Sequence, residues 1–317
     1  MRIAVVGAGL SGIAAAREAR ARGHEVVVFE KSRGLGGRVA SRRVEGTVVD
    51  HGSPAISTPA GSSLSDALEE VIGTGTRRVP EGLADDAGVA APLKALAAGL
   101  DVVRGVRLRA LRASSDGYEL GDEQGNAHGT ADAVIVTAPA PQAADLLAES
   151  GEPTERIALL RALDYLPAIV LLAGIPVPGT TGGPVEPPAG SALAGIRVES
   201  DKGRPPIDGI TPVVARLDPA RSRELLDAPD EVVGEAALPA LMGALGAAEL
   251  SWVQVKRWRY AVPDGHLDPR RANPAGSRIV LAGDGLTGAR FGGDDHAAVF
   301  ASGLAAVGVA EAAKRAG

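Results

Sequence analysis

A glycine-rich turn near the start of the chain constrains its fold more than any other feature. The apolar, β-branched run RIAVV at residues 2–6 leads into GAGLSG at residues 7–12, and an alanine-rich stretch of helical period follows. Strand, glycine turn and helix in this order begin a dinucleotide-binding βαβ unit. In such a unit Gly7 allows the tight turn, Gly9 lets the backbone approach a pyrophosphate, and Gly12 lets the helix pack on the strand.

The second predicted strand carries the acid that this motif requires. EVVVF at residues 25–29 is again apolar and β-branched, and Glu30 follows it directly. An acidic side chain about 20 residues after the glycine turn accepts a hydrogen bond from a ribose hydroxyl. We therefore predict a dinucleotide site, and we reject the alternative of an ordinary glycine turn.

Composition predicts a soluble protein of two domains that acts on small molecules. The chain has 317 residues, of which 45% are hydrophobic and 23% charged, and its formal net charge of −6 argues against nucleic acid or an anionic membrane as a partner. We also expect no membrane span, because we find no run of about 18 uninterrupted apolar residues. The absence of cysteine excludes disulfides and thiolate chemistry, and it fits a cytoplasmic location.

A second glycine-rich segment follows the acid directly. KSRGLGGRVASRR at residues 31–43 combines paired glycines with four arginines, which suits close approach to phosphate; a solvated basic loop is the alternative. Together with VDHG at residues 49–52, it resembles the N-terminal signature of the monoamine-oxidase-like flavoproteins and, among them, the bacterial renalase-like proteins.

This resemblance covers nearly the whole chain and implies that FAD binds without a covalent link. In that family the adenosine lies at the first strand and turn, the Gly-Gly-Arg segment lies along the pyrophosphate, and the segment corresponding to residues 50–52 approaches the flavin. A valine backbone contacts the adenine. The cofactor-binding residues predicted from the motif and the resemblance are Gly7, Gly9, Leu10, Ser11, Gly12, Glu30, Lys31, Gly36, Gly37, Arg38, His51, Gly52, Val106, Gly283, Asp284, His296 and Ala297.

The C-terminal segment repeats the glycine pattern. RIVLA at residues 278–282 leads into GDGLTG at residues 283–288, which indicates a nicotinamide nucleotide site only if a helix opens there. We reject that interpretation because helical period resumes at about residue 295. The segment resembles the family strand that ends in Gly-Asp, where Asp284 accepts a ribityl hydroxyl. The final helix, capped by Asp294, then points its N-terminus at flavin N1 and C2=O.

The pattern of segments predicts an α/β fold, with a Rossmann-like FAD-binding domain and an inserted antiparallel-sheet (α+β) substrate domain. The FAD-binding domain is predicted at residues 1–57, 89–150 and 275–317, and the substrate domain at residues 58–88 and 151–274. Strands of a meander are predicted at residues 102–103, 106–111 and 117–120. The strands predicted for the larger substrate segment lie at residues 168–173, 192–199, 212–217 and 250–260, and its helices at residues 219–226 and 230–245.

Alternate residues of the strand predicted at 250–260 share one face, which includes Lys256, Trp258 and Tyr260. Two interpretations stay open: core packing between sheet and helices, or a wall that faces a ligand. His51, Trp258 and Tyr260 are the substrate-facing candidates. Catalytic residues stay unassigned, and the five histidines have no metal-ligand spacing, so we expect no metal.

The resemblance also implies an activity. Renalase-like proteins oxidise isomeric dihydro forms of NAD(P) by hydride transfer to flavin, with O2 as the acceptor. Such a donor needs no general base, because the lone pair of its ring nitrogen expels the hydride. Alternatives are an amine oxidase or desaturase for another small molecule, or a flavin-binding protein without oxidase turnover, since residues 53–57 and the short insert at 58–88 lack the aromatic residues usual in that family. The sequence leaves oligomeric state and physiological acceptor open.

Overall fold

The computed structural model describes residues 1–115, 117–176, 185–288 and 295–316, and it confirms the predicted α/β class. The strands are, in chain order, β1 (Arg2–Val6), β2 (Glu25–Glu30), β3 (Ser41–Val44), β4 (Thr47–Asp50), β5 (Thr76–Val79), β6 (Gly82–Asp85), β7 (Asp101–Arg104), β8 (Leu108–Ser114), β9 (Gly117–Asp122), β10 (Ala127–Ala131), β11 (Ala133–Val136), β12 (Tyr165–Ile175), β13 (Leu193–Val198), β14 (Thr211–Leu217), β15 (Trp252–Pro263) and β16 (Ile279–Leu281).

Most of the described helices begin beside a proline or a polar cap. Asp218, for example, accepts hydrogen bonds from the amides of Ala220 and Arg221. Two helices instead follow Gly9 and Gly283 without a side-chain cap. The helices are α1 (Leu10–Ala21), α2 (Ser63–Glu69), α3 (Ala91–Leu96), α4 (Ala140–Ala148), α5 (Thr154–Arg161), α6 (Pro219–Glu224), α7 (Asp230–Leu245), α8 (Pro269–Ala272), α9 (Asp284–Thr287) and α10 (His296–Ala316), with a 3-10 helix at Glu199–Lys202. The cap predicted at Asp294 lies outside the described residues.

A parallel sheet of order β16-β11-β1-β2-β7 forms the nucleotide-binding half. Its central strands are covered on both faces, which explains why they are continuous apolar runs. Ile13 of α1 and Phe300 of α10 pack on one face, and Leu147 of α4 packs on the other. The prediction that residues 102–103 belong to the meander is wrong, because they lie in β7 at the edge of this sheet.

The remaining strands form antiparallel sheets and hairpins. The meander is β10-β9-β8, in which β10 was not predicted and β8 begins after Val106. Strands β12 to β15 form the second large sheet, in the order β13-β14-β12-β15, and β3-β4 and β5-β6 are hairpins. The strands of the parallel sheet come from the segments predicted for the FAD-binding domain, while the division into domains itself stays a prediction.

The two tryptophans on the aromatic face of β15 pack away from α6 and α7. Helices α6 and α7 lie over the opposite face, where Val233 of α7 shares a core with Ile169 and Val255. Trp252 and Trp258 instead pack with Val170, Leu172 and the hairpin β3-β4. Core packing between the sheet and its helices is therefore wrong for Trp252 and Trp258, whereas Tyr260 packs against the core that includes α4 and α5.

Helix α10 meets the length and composition of a membrane span, with a mean hydropathy of 1.4, although it lacks an uninterrupted apolar run. Its residues Phe300, Gly303 and Val307 are buried against α1 and the parallel sheet. The helix thus contributes to the core of the nucleotide-binding half.

Candidate active site

A cavity of about 740 Å³ lies at the carboxyl ends of β1 and β2, the edge at which open α/β sheets bind ligands. Its volume is in the upper part of the ~300–1,000 Å³ usual for ligand sites. The two glycine-rich segments line one part of it, and residues of β15 line another. The cavity therefore joins the nucleotide-binding half to the aromatic face of the antiparallel sheet.

The glycine turn before α1 is shaped for the close approach of a phosphate. A Cβ on Gly12 would lie 1.9 Å from the carbonyl oxygen of Gly7, and a Cβ on Gly37 would lie 3.1 Å from Gly9 Cα. The Ser11 hydroxyl is buried and has no hydrogen-bond partner within the described residues. The first amides of α1 also have no partner inside the helix. A buried hydroxyl without a partner, next to a helix N-terminus, fits the pyrophosphate of FAD.

Glu30 lies where the second strand meets the cavity, and its carboxylate is buried. One oxygen accepts from the Ala8 amide at 2.8 Å, and the other accepts from the amide and the hydroxyl of Ser32 at 2.8 and 2.7 Å. These contacts hold the carboxylate in place while leaving lone pairs for a ribose hydroxyl. The amide of Val106 donates to the Glu30 carbonyl at 3.2 Å, and Val106 lines the cavity.

Glu30→Ala is expected to weaken FAD binding by about 1.5–3 kcal/mol, the scale of a hydrogen bond to a charged group. Titration of apoprotein with FAD, followed by flavin fluorescence, gives the dissociation constant. Glu25→Ala, at the exposed start of β2, is the matched control and should change it little. Equal affinities for the two variants would mean that Glu30 does not bind the ribose.

Arg38 and Asp284 form a bidentate ion pair at 2.8 Å across the cavity. Arg38 also donates to the carbonyl of Ala261 on β15 at 3.0 Å. The pair thus links the second glycine segment, the C-terminal Gly-Asp turn and the antiparallel sheet. Helix α9, which begins within the second glycine pattern, has only four residues and is followed by Gly288 with the left-handed φ of +67°.

The far end of the cavity is formed by His51 and Trp258, and we call it the ring end. The two rings stack with centroids 5.5 Å apart and planes 18° apart, and the indole N–H donates to the His51 carbonyl at 2.8 Å. Burial, together with the positive charges of Lys256 and Arg42, lowers the pKa of His51 to about 4. His51 is therefore a neutral imidazole at pH 7.

The structure brings most of the predicted residues together. Gly12, Gly52 and Ala297 are the exceptions, since they lie beneath the surface of the cavity: a Cβ on Gly52 would lie 2.0 Å from the Arg38 carbonyl oxygen, and Ala297 packs against the core. The predicted residues that line the cavity are Gly7, Gly9, Leu10, Ser11, Glu30, Lys31, Gly36, Gly37, Arg38, His51, Val106, Trp258, Tyr260, Gly283, Asp284 and His296. Their roles in binding stay predictions.

Some cavity residues were not predicted. Gln142 accepts a hydrogen bond from Lys31 at 2.9 Å, and the segment 137–139 lines the same edge. That segment directly follows β11, and its place at the carboxyl end of a predicted parallel strand was the available signal. His296 accepts from the amide of Ser57 at 3.1 Å, a contact for which the sequence holds no signal.

Two family profiles match the sequence. The profile described as "NAD(P)-binding Rossmann-like domain" matches residues 5–71, and the profile described as "Flavin containing amine oxidoreductase" matches residues 73–310. Among curated proteins, 4,4'-diapophytoene desaturase (4,4'-diaponeurosporene-forming) of Staphylococcus haemolyticus is 44% identical over 59 residues. That match covers 19% of this chain and 12% of the desaturase.

Solved structures resemble the whole chain at low sequence identity. Putrescine oxidase bound to putrescine has a TM-score of 0.70 at 13% identity, with 97% of this chain and 98% of that chain covered. Cyclohexylamine oxidase from Brevibacterium oxydans has a TM-score of 0.71 at 14% identity, with 98% of each chain covered. An oxidoreductase from Methanosarcina mazei has a TM-score of 0.66 at 16% identity, with 96% and 99% covered. These similarities show the fold.

Proposed function

Since this chain belongs to the flavin-containing amine oxidoreductase family and is an FAD-dependent oxidoreductase, we propose that it oxidises an isomeric dihydro form of NAD(P). Bound FAD would supply the two-electron chemistry, namely acceptance of the substrate hydride and reoxidation by O2, which with one proton from water would yield hydrogen peroxide. The absence of cysteine supports a cytoplasmic location for this reaction. The renalase-like subtype is supported by the segments at residues 30–38 and 49–52.

The residues of the chain bind and orient the reactants in this proposal. Glu30 holds the ribose of the adenosine, and the amides at the start of α1 with the Ser11 hydroxyl hold the pyrophosphate. Arg38 and Asp284, already paired, lie along the path from the pyrophosphate to the ring end. Trp258 and His51 offer a flat, buried wall against which a planar ring can stack.

The single observation that carries the proposed substrate is the buried His51 imidazole stacked on Trp258, a flat wall whose burial favours the neutral form of the ring. A general base works best with a pKa near the working pH, and an imidazole with a pKa of about 4 is a poor proton acceptor at pH 7. A dihydropyridine gives up hydride without losing a proton to the protein. The ring end therefore suits a donor that needs positioning rather than proton removal.

Anaerobic flavin reduction by 2- or 6-dihydro isomers of NAD(P) is expected to be nearly independent of pH between about 6 and 9, because His51 stays neutral over this range. Rapid-mixing absorbance measures the rate, and peroxide should form when air is admitted. His51→Ala should raise the substrate concentration that gives half-maximal flavin reduction more than it lowers the reduction rate at saturating substrate.

An amine substrate gives the opposite pH profile. It reacts in its neutral form, so its reduction rate rises steeply with pH through a pKa of the amine or the enzyme. The solved putrescine and cyclohexylamine oxidases make an amine the second candidate. Reduction by simple amines without reduction by the dihydro isomers would establish that candidate and exclude ours.

A further inference from the structure

The ring end of the cavity carries a positive charge that the fold does not neutralise. The Lys256 ammonium lies over the Trp258 ring, with Nζ 5.1 Å from the centroid, and Trp258 in turn stacks on His51. Lys256 lines the cavity and is partly buried. Within the described ranges it has neither an acidic partner nor a hydrogen-bond acceptor.

The charge of a second cation, Arg42, acts on Lys256, although Arg42 does not line the cavity. Arg42 belongs to β3, two positions before Val44. Val44 packs with Val170 of β12, and Val170 is paired with Lys256 of β15. Because residues i and i+2 share a face of a strand, Arg42 faces the same side of the antiparallel sheet as Lys256. Arg42 is exposed and makes no ion pair with any described residue. Its charge lowers the pKa of Lys256 further than burial alone does, as expected of close neighbours.

Two acids near this end are bound by cations of the protein, and a third, Asp295, lines the cavity at the start of α10. Asp284 is paired with Arg38, and the buried carboxylate of Asp50 bonds Lys202 and Arg204. Glu30 lies at the opposite end and accepts three hydrogen bonds from the protein. The ring end thus holds the charge of Lys256, and the charge of Arg42 acts on it from outside the cavity lining; neither cation pairs with an acid among the described residues, so this end would repel a protonated amine.

We propose that Lys256 and Arg42 bind an anionic group of the substrate, a phosphate or a carboxylate, and thereby reject protonated amines. This inference rests on the proposed function, because it places the flavin ring next to Trp258. It goes further by assigning substrate selection to two residues whose charges have no partner in the described chain.

Binding of probe anions to the FAD-loaded protein tests the proposal without turnover. Inorganic pyrophosphate, benzoate and benzylamine are titrated separately, and each dissociation constant comes from the change in the visible spectrum of the bound flavin. The anions should bind more tightly than benzylamine. Lys256→Gln should raise the dissociation constant of the anions about tenfold, and Lys256→Arg should restore it. The exposed Arg42→Gln should raise it about threefold.

Arg43→Gln is the matched control. It removes the same charge from the same strand, but residue 43 points to the other face and is exposed. It should change the dissociation constants less than twofold. A response to pyrophosphate alone supports a phosphate group on the substrate, and a response to benzoate alone supports a carboxylate. Tighter binding of benzylamine, or unchanged anion binding in Lys256→Gln and Arg42→Gln, overturns the proposal.

These outcomes are separate from those of the proposed function. A protein that binds the anions through Lys256 but is not reduced by dihydro isomers of NAD(P) would retain this inference and lose the proposed substrate. A protein that is reduced by those isomers, with binding unaffected by Lys256→Gln, would retain the proposed substrate and lose this inference.

Discussion

Replacing Gly303 with alanine is expected to destabilise the protein by about 3 kcal/mol, at the upper end of the usual cost of overpacking a core. A Cβ at this position would lie 2.1 Å from the carbonyl oxygen of Ser11 and 3.0 Å from the Cβ of Ala14. The clash is with backbone, so no change of rotamer relieves it. Helix α10 would have to move away from α1, and the glycine turn that starts α1 would move with it.

Gly308 in the same helix provides a matched control. A Cβ there would find Arg22 Nη1 at 3.9 Å, which is ordinary contact distance. Gly308→Ala should therefore raise the free energy of unfolding only through the higher helix propensity of alanine, by up to about 1 kcal/mol. Urea unfolding of the two variants measures both free energies, and FAD affinity should fall only for Gly303→Ala. Similar changes at the two positions would show that α1 and α10 are not packed so closely.

The first βαβ unit could be predicted because its signals are local. The β-branched runs, the glycine spacing and Glu30 all lie within the first 30 residues, and each has a direct physical reason. The place of residues 102–103 in the parallel sheet could not be predicted in this way. Their partner in the sheet is β2, about 70 positions earlier, and a short apolar run says nothing about which strand it will join.

The candidate site shows the same limit. Arg38 and Asp284 were each predicted to contact FAD, but nothing in the sequence indicated their ion pair, which joins positions 246 residues apart. The aromatic face of β15 followed from alternation, whereas the side of the sheet covered by α6 and α7 depends on the path of the chain. Charged residues give the weakest signal of all, because isolated acids and bases in a sequence are usually exposed.

A buried cluster of four charges is the clearest example. The carboxylates of Asp50 and Glu199 are fully buried, and Lys202 Nζ lies 2.9 Å from the first and 2.8 Å from the second. Arg204 bonds both carboxylates as well. The cluster links Asp50, the last residue of β4, to the 3-10 helix at Glu199–Lys202. His51 follows Asp50 directly in the sequence. We infer that the cluster holds the ring end in position.

Lys202→Met is accordingly expected to cost about 3–5 kcal/mol, because it leaves two buried carboxylates with one cation. Lys314→Met is the control: its pair with Asp132 at 3.2 Å is exposed, so its loss should cost less than about 1 kcal/mol. Adding Glu199→Gln to Lys202→Met should recover most of the loss, since it removes the excess negative charge.

The pH dependence gives a second test of the Lys202 variant. Burial by itself would raise the pKa of Asp50, but Lys202 and Arg204 hold it below its ordinary value. Asp50 therefore stabilises the parent protein above its unfolded pKa, and this contribution is lost as pH falls through the folded pKa. Burial already holds the pKa of Glu199 above its ordinary value, so without Lys202 the pKa values of both carboxyls rise, and protonation then relieves the excess charge. Urea unfolding should show the deficit of Lys202→Met shrinking from pH 7 to about pH 4; a constant deficit, or no recovery in the double variant, would mean that the loss comes from packing and not from charge.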